Sequence, residues 1–256
     1  MLKKRIITTM LWNGETLVKG NQFINSRRAG SAITTIKIYN SRDVDEIVFF
    51  DINKNDSKDN YDLDFIRQLT DECNVPITIG GGIKEIYQID DLLFAGADKV
   101  SINSENYSNI NLLKSAAKKF GSQTIVAAID YKKIDGNIKC VSKSGKIKEE
   151  VHPLDWAAKC EDLGAGELIL TSIDKDGLML GYDYEILEQV CNRVNIPVII
   201  SGGAGNYTHF LKAFMSGASA VAAASIYHFT EQTPSEAKKY LLEKNIPVRQ
   251  NFNFSF

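Results

Sequence analysis

Asn74-Val75-Pro76-Ile77-Thr78-Ile79-Gly80-Gly81-Gly82 and Asn195-Ile196-Pro197-Val198-Ile199-Ile200-Ser201-Gly202-Gly203 follow one pattern: Asn, an aliphatic residue, Pro, a short apolar run and a glycine pair. They lie 121 positions apart, and the same offset relates Ala95-Gly96-Ala97 to Ser216-Gly217-Ala218, Val100 to Val221, Ser104 to Ser225 and Glu46 to Glu167. A constant offset over so long a stretch implies two copies of one half-fold, so each half can be read against the other.

Short apolar, β-branched runs alternate with longer amphipathic segments. The runs predict strands near 5–11, 46–51, 76–80, 98–103, 123–130, 166–171, 197–201 and 219–224. Between them lie helical patterns such as Asp62-Leu63-Asp64-Phe65-Ile66 and Leu154-Asp155-Trp156-Ala157, each starting beside Asp or Pro, as helix starts do. Strands alternating with helices pair in parallel through βαβ units, and continuous runs such as Val198-Ile199-Ile200 fit strands covered on both faces. Eight strands in two like halves predict a closed (β/α)8 TIM barrel spanning residues 1–256 as one unit, with half-barrels at about 1–120 and 121–249. The join falls near Gly121-Ser122, and residues 250–256 form a Phe-rich tail beyond the last unit. An open, doubly wound sheet is the runner-up.

Composition limits the partners. With 256 residues the chain is long enough for a full core, and a net charge of −2 implies no nucleic-acid partner. Cys73, Cys140, Cys160 and Cys191 are far apart and lack zinc-ligand spacing, which fits reduced thiols in the cytoplasm. No segment has the ~20 apolar residues that a membrane span requires. His152, His209 and His228 have no ligand spacing, so neither a metal nor an organic cofactor is expected.

In such barrels the C-terminal strand ends and the loops after them carry the active site. Gly81-Gly82 and Gly202-Gly203 both follow a strand, where glycine lets amide N–H groups approach an anion. Asn103-Ser104 and Ala224-Ser225 end the next strand in each half. The repeat therefore predicts two phosphate cradles at one mouth. Asp51, Asp130, Asp174 and Asp176 also fall at strand ends; capping a helix or satisfying a loop amide is the competing role, above all for Asp174. Asp130 closes the run Thr124-Ile125-Val126-Ala127-Ala128-Ile129, so an apolar strand delivers a carboxylate to the mouth. Burial there would raise its pKa and suit it to acid–base work near neutral pH. Lys19, in the loop expected after the first strand, could reach over a bound phosphate.

Arg5, Glu46, Lys99 and Glu167 fall near strand starts, on the opposite face. Inward charges in a barrel must be paired, so two cations and two anions from four strands could close a ring; scattered surface pairs are the alternative.

Taken together, these residues resemble the cyclase subunit of imidazole glycerol phosphate synthase. The likeness runs from Lys4-Arg5-Ile6-Ile7 to Ile246-Pro247-Val248-Arg249, and its most specific markers are Val18-Lys19-Gly20, Ala97-Asp98-Lys99-Val100-Ser101-Ile102-Asn103, Thr171-Ser172-Ile173-Asp174-Lys175-Asp176-Gly177 and Ser201-Gly202-Gly203-Ala204-Gly205. The resemblance implies a TIM barrel docked on a glutaminase whose ammonia enters through the floor. By it, Arg5, Glu46, Lys99 and Glu167 match the charged gate, and Asp98 matches a contact to the glutaminase. Gly82, Asn103 and Ser104 match one phosphate site of a substrate phosphorylated at both ends, while Asp176, Gly177, Gly203, Ala224 and Ser225 match features of the other.

The family uses two aspartates for acid–base work, at the ends of strands one and five. Asp130 is the second; Leu11 stands where the first belongs, and no acid occurs before Glu15. Gly30-Ser31-Ala32 replaces the usual Gly-Asp-Pro, and Leu178 replaces a small hydroxyl residue. Three readings follow. In the first, the chain is a diverged subunit that passes glutamine-derived ammonia toward sugar amidination in surface-glycan biosynthesis, beside a sugar-activating synthetase. In the second, it is an ordinary histidine-pathway cyclase, and in the third a non-catalytic activator of the glutaminase.

Overall fold

The computed structural model describes residues 3–55 and 60–249, so the Phe-rich tail of the sequence reading lies outside the described residues. Twelve strands form one sheet: β1 (Arg5–Trp12), β2 (Leu17–Asn21), β3 (Ile24–Gly30), β4 (Glu46–Asp51), β5 (Ile77–Gly80), β6 (Lys99–Ile102), β7 (Ile125–Ile134), β8 (Asn137–Ser142), β9 (Ile147–Lys148), β10 (Glu167–Ser172), β11 (Val198–Ser201) and β12 (Ala220–Ala223). The helices are α1 (Ala32–Ser41), α2 (Leu63–Asp71), α3 (Ile86–Phe94), α4 (Glu105–Ser108), α5 (Ile110–Phe120), α6 (Pro153–Asp162), α7 (Tyr184–Arg193), α8 (Tyr207–Met215), α9 (Ser225–Phe229) and α10 (Pro234–Glu243).

Eight strands pair in parallel in the order β10-β11-β12-β1-β4-β5-β6-β7, and β7 returns to β10, which closes the ring. This is the (β/α)8 barrel that the alternating pattern predicts, and the open doubly wound sheet is set aside. The repeat holds element by element: α1 and α6, β4 and β10, β5 and β11, α3 and α8, and β6 and β12 each begin and end 121 positions apart. Local chemistry sets the helix starts. Asp62 accepts from the Phe65 N–H at 3.0 Å, Pro153 opens α6, and Thr233 and Glu236 form a reciprocal cap on α10.

Among the described residues, four strands lie outside the ring. The segment after β1, expected as a long loop, is the antiparallel hairpin β2–β3, and a matching meander β8–β9 follows β7. These too are copies: the β2–β3 turn holds Gln22 and Phe23 at φ +53° and +64°, and the β8–β9 turn holds Lys143 and Ser144 at +49° and +56°, again 121 positions apart. The sequence signal for the second meander is Asp135-Gly136, a dipeptide suited to a tight hairpin turn.

Side chains alternate across each strand. Ile6 and Met10 join the large core between barrel and helices, whereas Ile7, Val48, Val126, Ala128, Ile169, Ile199, Ala220 and Ala222 form a separate cluster inside the ring. One face of β1 therefore carries Arg5, Ile7, Thr9 and Leu11 inward, from floor to mouth. The inner face of β7 carries Val126, Ala128 and Asp130.

Candidate functional site

At the floor, the four charges close a ring. Arg5 Nη1 donates to Glu46 Oε1 at 2.7 Å and Arg5 Nη2 donates to Glu167 Oε1. Lys99 Nζ completes it, donating to Glu46 Oε2 at 3.2 Å and to Glu167 Oε2 at 3.0 Å. Each carboxylate is buried and bridges both cations, so neither charge is left alone in a low-dielectric setting. The reading as scattered surface pairs does not fit this arrangement. Beside the ring, Asp98 is exposed, and its Oδ2 accepts from the Ile77 N–H at 2.8 Å.

At the opposite end, one pocket gathers the strand-end residues, among them Leu11, Asp51, Asp130, Thr171 and Asp176. Asp130 sits at the end of the inner face of β7. Burial pushes its carboxyl up to about 7, reinforced by the negative charge of Asp176 and opposed by hydrogen bonds from Asn103 and Thr171. Asn103 Nδ2 donates to Asp130 Oδ2 at 2.7 Å. Thus Asn103, matched by the sequence to a phosphate site, holds the Asp130 carboxyl in this structure. Its own Oδ1 is buried without a partner. A carboxyl poised near neutrality can give or take a proton at the mouth.

Lys19 lies on β2 rather than in a loop. Its ammonium is buried, donating to Asp176 Oδ2 and to the Gly20 carbonyl, the latter at 3.1 Å. Burial raises the Asp176 pKa against the pull of Lys19. The bond fastens the β2–β3 hairpin to the loop after β10. Gln22 N–H adds a bond to the Asp176 carbonyl at 2.9 Å, and Arg27 stacks over the Phe229 ring at 3.6 Å. Spacing gave no sign of the Lys19–Asp176 pair, because its members are 157 positions apart. Asp174 takes its humbler role: its Oδ2 accepts from the Lys133 N–H at 2.7 Å. Asp51 accepts from the Asn53 N–H at 3.1 Å, and burial raises its pKa.

The glycine pairs stand as the repeat requires. Gly82 (φ +70°) and Gly203 (φ +113°) both lie in the left-handed region, and an added Cβ would meet the Lys54 carbonyl at 2.6 Å and the Gly181 carbonyl at 2.1 Å, respectively. Close backbone approach alone thus demands glycine at both places. Gly177 is likewise pressed against Gly20, where a Cβ would meet the carbonyl at 2.4 Å. Ser104 and Ser225 stand beside these turns in the pocket wall, with Ala224 preceding Ser225. Ser104 Oγ accepts from the Lys143 N–H at 2.9 Å, which leaves its hydroxyl proton for another acceptor.

Leu11 enters the pocket wall from β1, next to Val18 of β2 and Phe50 of β4. Among the described residues, no three His, Cys, Asp or Glu side chains stand where they could hold a metal ion, and no helix is long and apolar enough to cross a membrane.

The family model described as "Histidine biosynthesis protein" matches residues 6–233. The chain is 43% identical over 250 residues to imidazole glycerol phosphate synthase subunit HisF of Chlorobaculum tepidum, covering 97% of this chain and all of that protein. It is 44% identical to the subunit of the same name from Endomicrobium trichonymphae, covering 98% and 96%, and 41% identical to that of a Thermotoga species, covering 97% and 98%. A barrel with a charged floor and a glycine-lined mouth, alike in sequence almost from end to end, places this chain in the histidine biosynthesis protein family, among the HisF cyclase subunits.

Proposed function

We propose that this chain is the ammonia-using synthase subunit of a glutamine amidotransferase. A glutaminase docks on the floor near Asp98, ammonia passes the Arg5–Glu46–Lys99–Glu167 ring, and it attacks an acceptor held by a phosphate in each cradle while Asp130 handles the proton. The single observation that carries this reading is the inner face of the ring. The same strands hold the charged floor at one end and the pocket at the other, joined by an uncharged interior. The near-full-length likeness to HisF subunits supports the cyclase reaction: ammonia adds to a ribulosyl ketone, and ring closure gives imidazole glycerol phosphate and an aminoimidazole carboxamide ribotide. The test is turnover of the purified chain with ammonium salt and that bisphosphorylated substrate, beside complementation of a strain lacking its histidine cyclase. Turnover below the family's level, by the factor that a missing acid costs, and growth are expected; failure of both defeats the cyclase reaction.

A specific observation favours a second reading. Leu11 cannot exchange a proton, and loss of a positioned acid or base costs about 10²–10⁴-fold in rate. With the floor intact and the mouth altered, ammonia would go to another acceptor, such as an activated sugar in surface-glycan amidination. Production of an amidinated sugar only when this chain, its glutaminase and a sugar-activating synthetase are combined would establish that reading. The half-buried, near-neutral Asp130 speaks against the third reading, a mere activator of the glutaminase.

A further inference from the structure

The two meanders cross between halves. The β2–β3 hairpin belongs to the first half, yet it rests on the second half's cradle through Lys19 on Asp176, Gly20 against Gly177 and Arg27 over Phe229. The β8–β9 turn belongs to the second half, yet its Lys143 N–H bonds Ser104 Oγ in the first half's cradle. Each half thus lends its hairpin to the other's cradle.

The two turns differ in charge. The first carries neutral Gln22, whose side-chain amide donates to the Asp174 carbonyl at 3.0 Å. At the equivalent position the second carries Lys143, half-buried in the pocket wall with Gly82 and Ser104, and its ammonium makes no hydrogen bond or ion pair with the described residues. Lys19, by contrast, is committed to Asp176.

We propose that Lys143 is a phosphate-binding residue of the first cradle, so that the pocket distinguishes the two ends of its ligand by a cation on one turn where the other turn brings none. The proposal rests on the reading that the first cradle holds a phosphate. The chemistry is a direct ammonium–phosphate contact added to the Ser104 hydroxyl, which can still donate because its oxygen is the acceptor for Lys143 N–H. That bond uses the Lys143 backbone, so replacing the side chain leaves the turn fastened. Glutamine already occupies the same backbone conformation at Gln22.

The test is calorimetric titration of the full chain with inorganic phosphate at low salt, for wild type, Lys143→Gln, Lys143→Arg and Ser104→Ala, with melting temperatures as a folding check. Two sites are expected in the wild type. Lys143→Gln weakens one about tenfold or more and leaves the other unchanged; Lys143→Arg retains it, and Ser104→Ala weakens the same site. Two intact sites in Lys143→Gln would overturn the role of Lys143 while leaving the cradle reading in place. A wild type that binds no phosphate would overturn both.

Discussion

Leu11 and Asp130 stand on opposite sides of the barrel: β1 and β7 are four places apart in a ring of eight, and both residues line the mouth. The side chain facing the near-neutral carboxyl is therefore a hydrocarbon, beside Val18 and Phe50. Of the other carboxyls in the pocket, Asp176 is held by Lys19 and Asp51 accepts from the Asn53 N–H.

Restoring a carboxyl there tests whether the lost partner limits the reaction. Leu11→Asp is expected to raise cyclase turnover with ammonium salt by about 10²–10⁴-fold. Steady-state assay of the two proteins checks it. Wild-type turnover that already matches the family, with no gain in the variant, would show that another group has taken over.

Asp130 gives a signed prediction for pH. Its folded pKa of about 7 is above the ~3.9 of an unfolded aspartate, so the folded state binds the extra proton between those values. Its contribution to stability is fully present at the acid end and is lost as pH rises through 7, at up to about 1.4 kcal/mol per unit. Asp130→Asn removes that loss. The variant is expected to be the more stable protein at pH 8, with the difference shrinking toward pH 5, and to be without cyclase activity. Urea unfolding at both pH values checks the first point; a constant difference would contradict it.

For the floor ring, Lys99→Ala leaves Glu46 and Glu167 sharing Arg5 alone. With the glutaminase present, glutamine hydrolysis is expected to run on while product per glutamine falls. Turnover with added ammonium salt should survive, because that route bypasses the floor. Unfolding should also become easier, by roughly 2 kcal/mol, for two buried carboxylates short of a donor. Measuring glutamate and product together decides the point.

Backbone approach at the second cradle separates two glycines of similar φ. Gly203→Ala places a Cβ 2.1 Å from the Gly181 carbonyl and is expected to cost about 3 kcal/mol or more, while Gly136→Ala (φ +82°), with nothing within 4 Å, should cost only about 1 kcal/mol. Thermal melts of the pair are the check, and equal losses would rule out the steric argument.

Much of this was legible in the chain. The 121-residue offset carried the eight ring strands, and Asp130 was marked by the apolar run before it. What escaped were features built by pairing over distance. β2 reads as loop because Leu17-Val18-Lys19-Gly20-Asn21 lacks strict alternation and bends at a bulge. Lys19 reads as a cation reaching over a phosphate, whereas it is held by Asp176, which arrives from the far side of the mouth. Lys238 is hidden for the same reason: it sits in a polar helix pattern yet is buried, with Asp45 Oδ1 at 2.8 Å and Asp43 Oδ1 at 3.1 Å, and clips α10 to the base of β4. Asn103 reads as a neighbour of Ser104, but its place just past the end of β6 aims it at Asp130.

Between the floor ring and Asp130, the barrel's inner wall offers aliphatic side chains and, from β1, β5 and β6, the hydroxyls of Thr9, Thr78 and Ser101, with no charge among the described residues. An ammonium ion has no counter-charge along that stretch, and stripping its hydration there would be costly. Whatever nitrogen travels it must therefore leave its proton behind at the entrance and emerge with its lone pair free. The acidity of the surrounding medium then governs the doorway, and hardly touches the reactivity of what comes out at the far end.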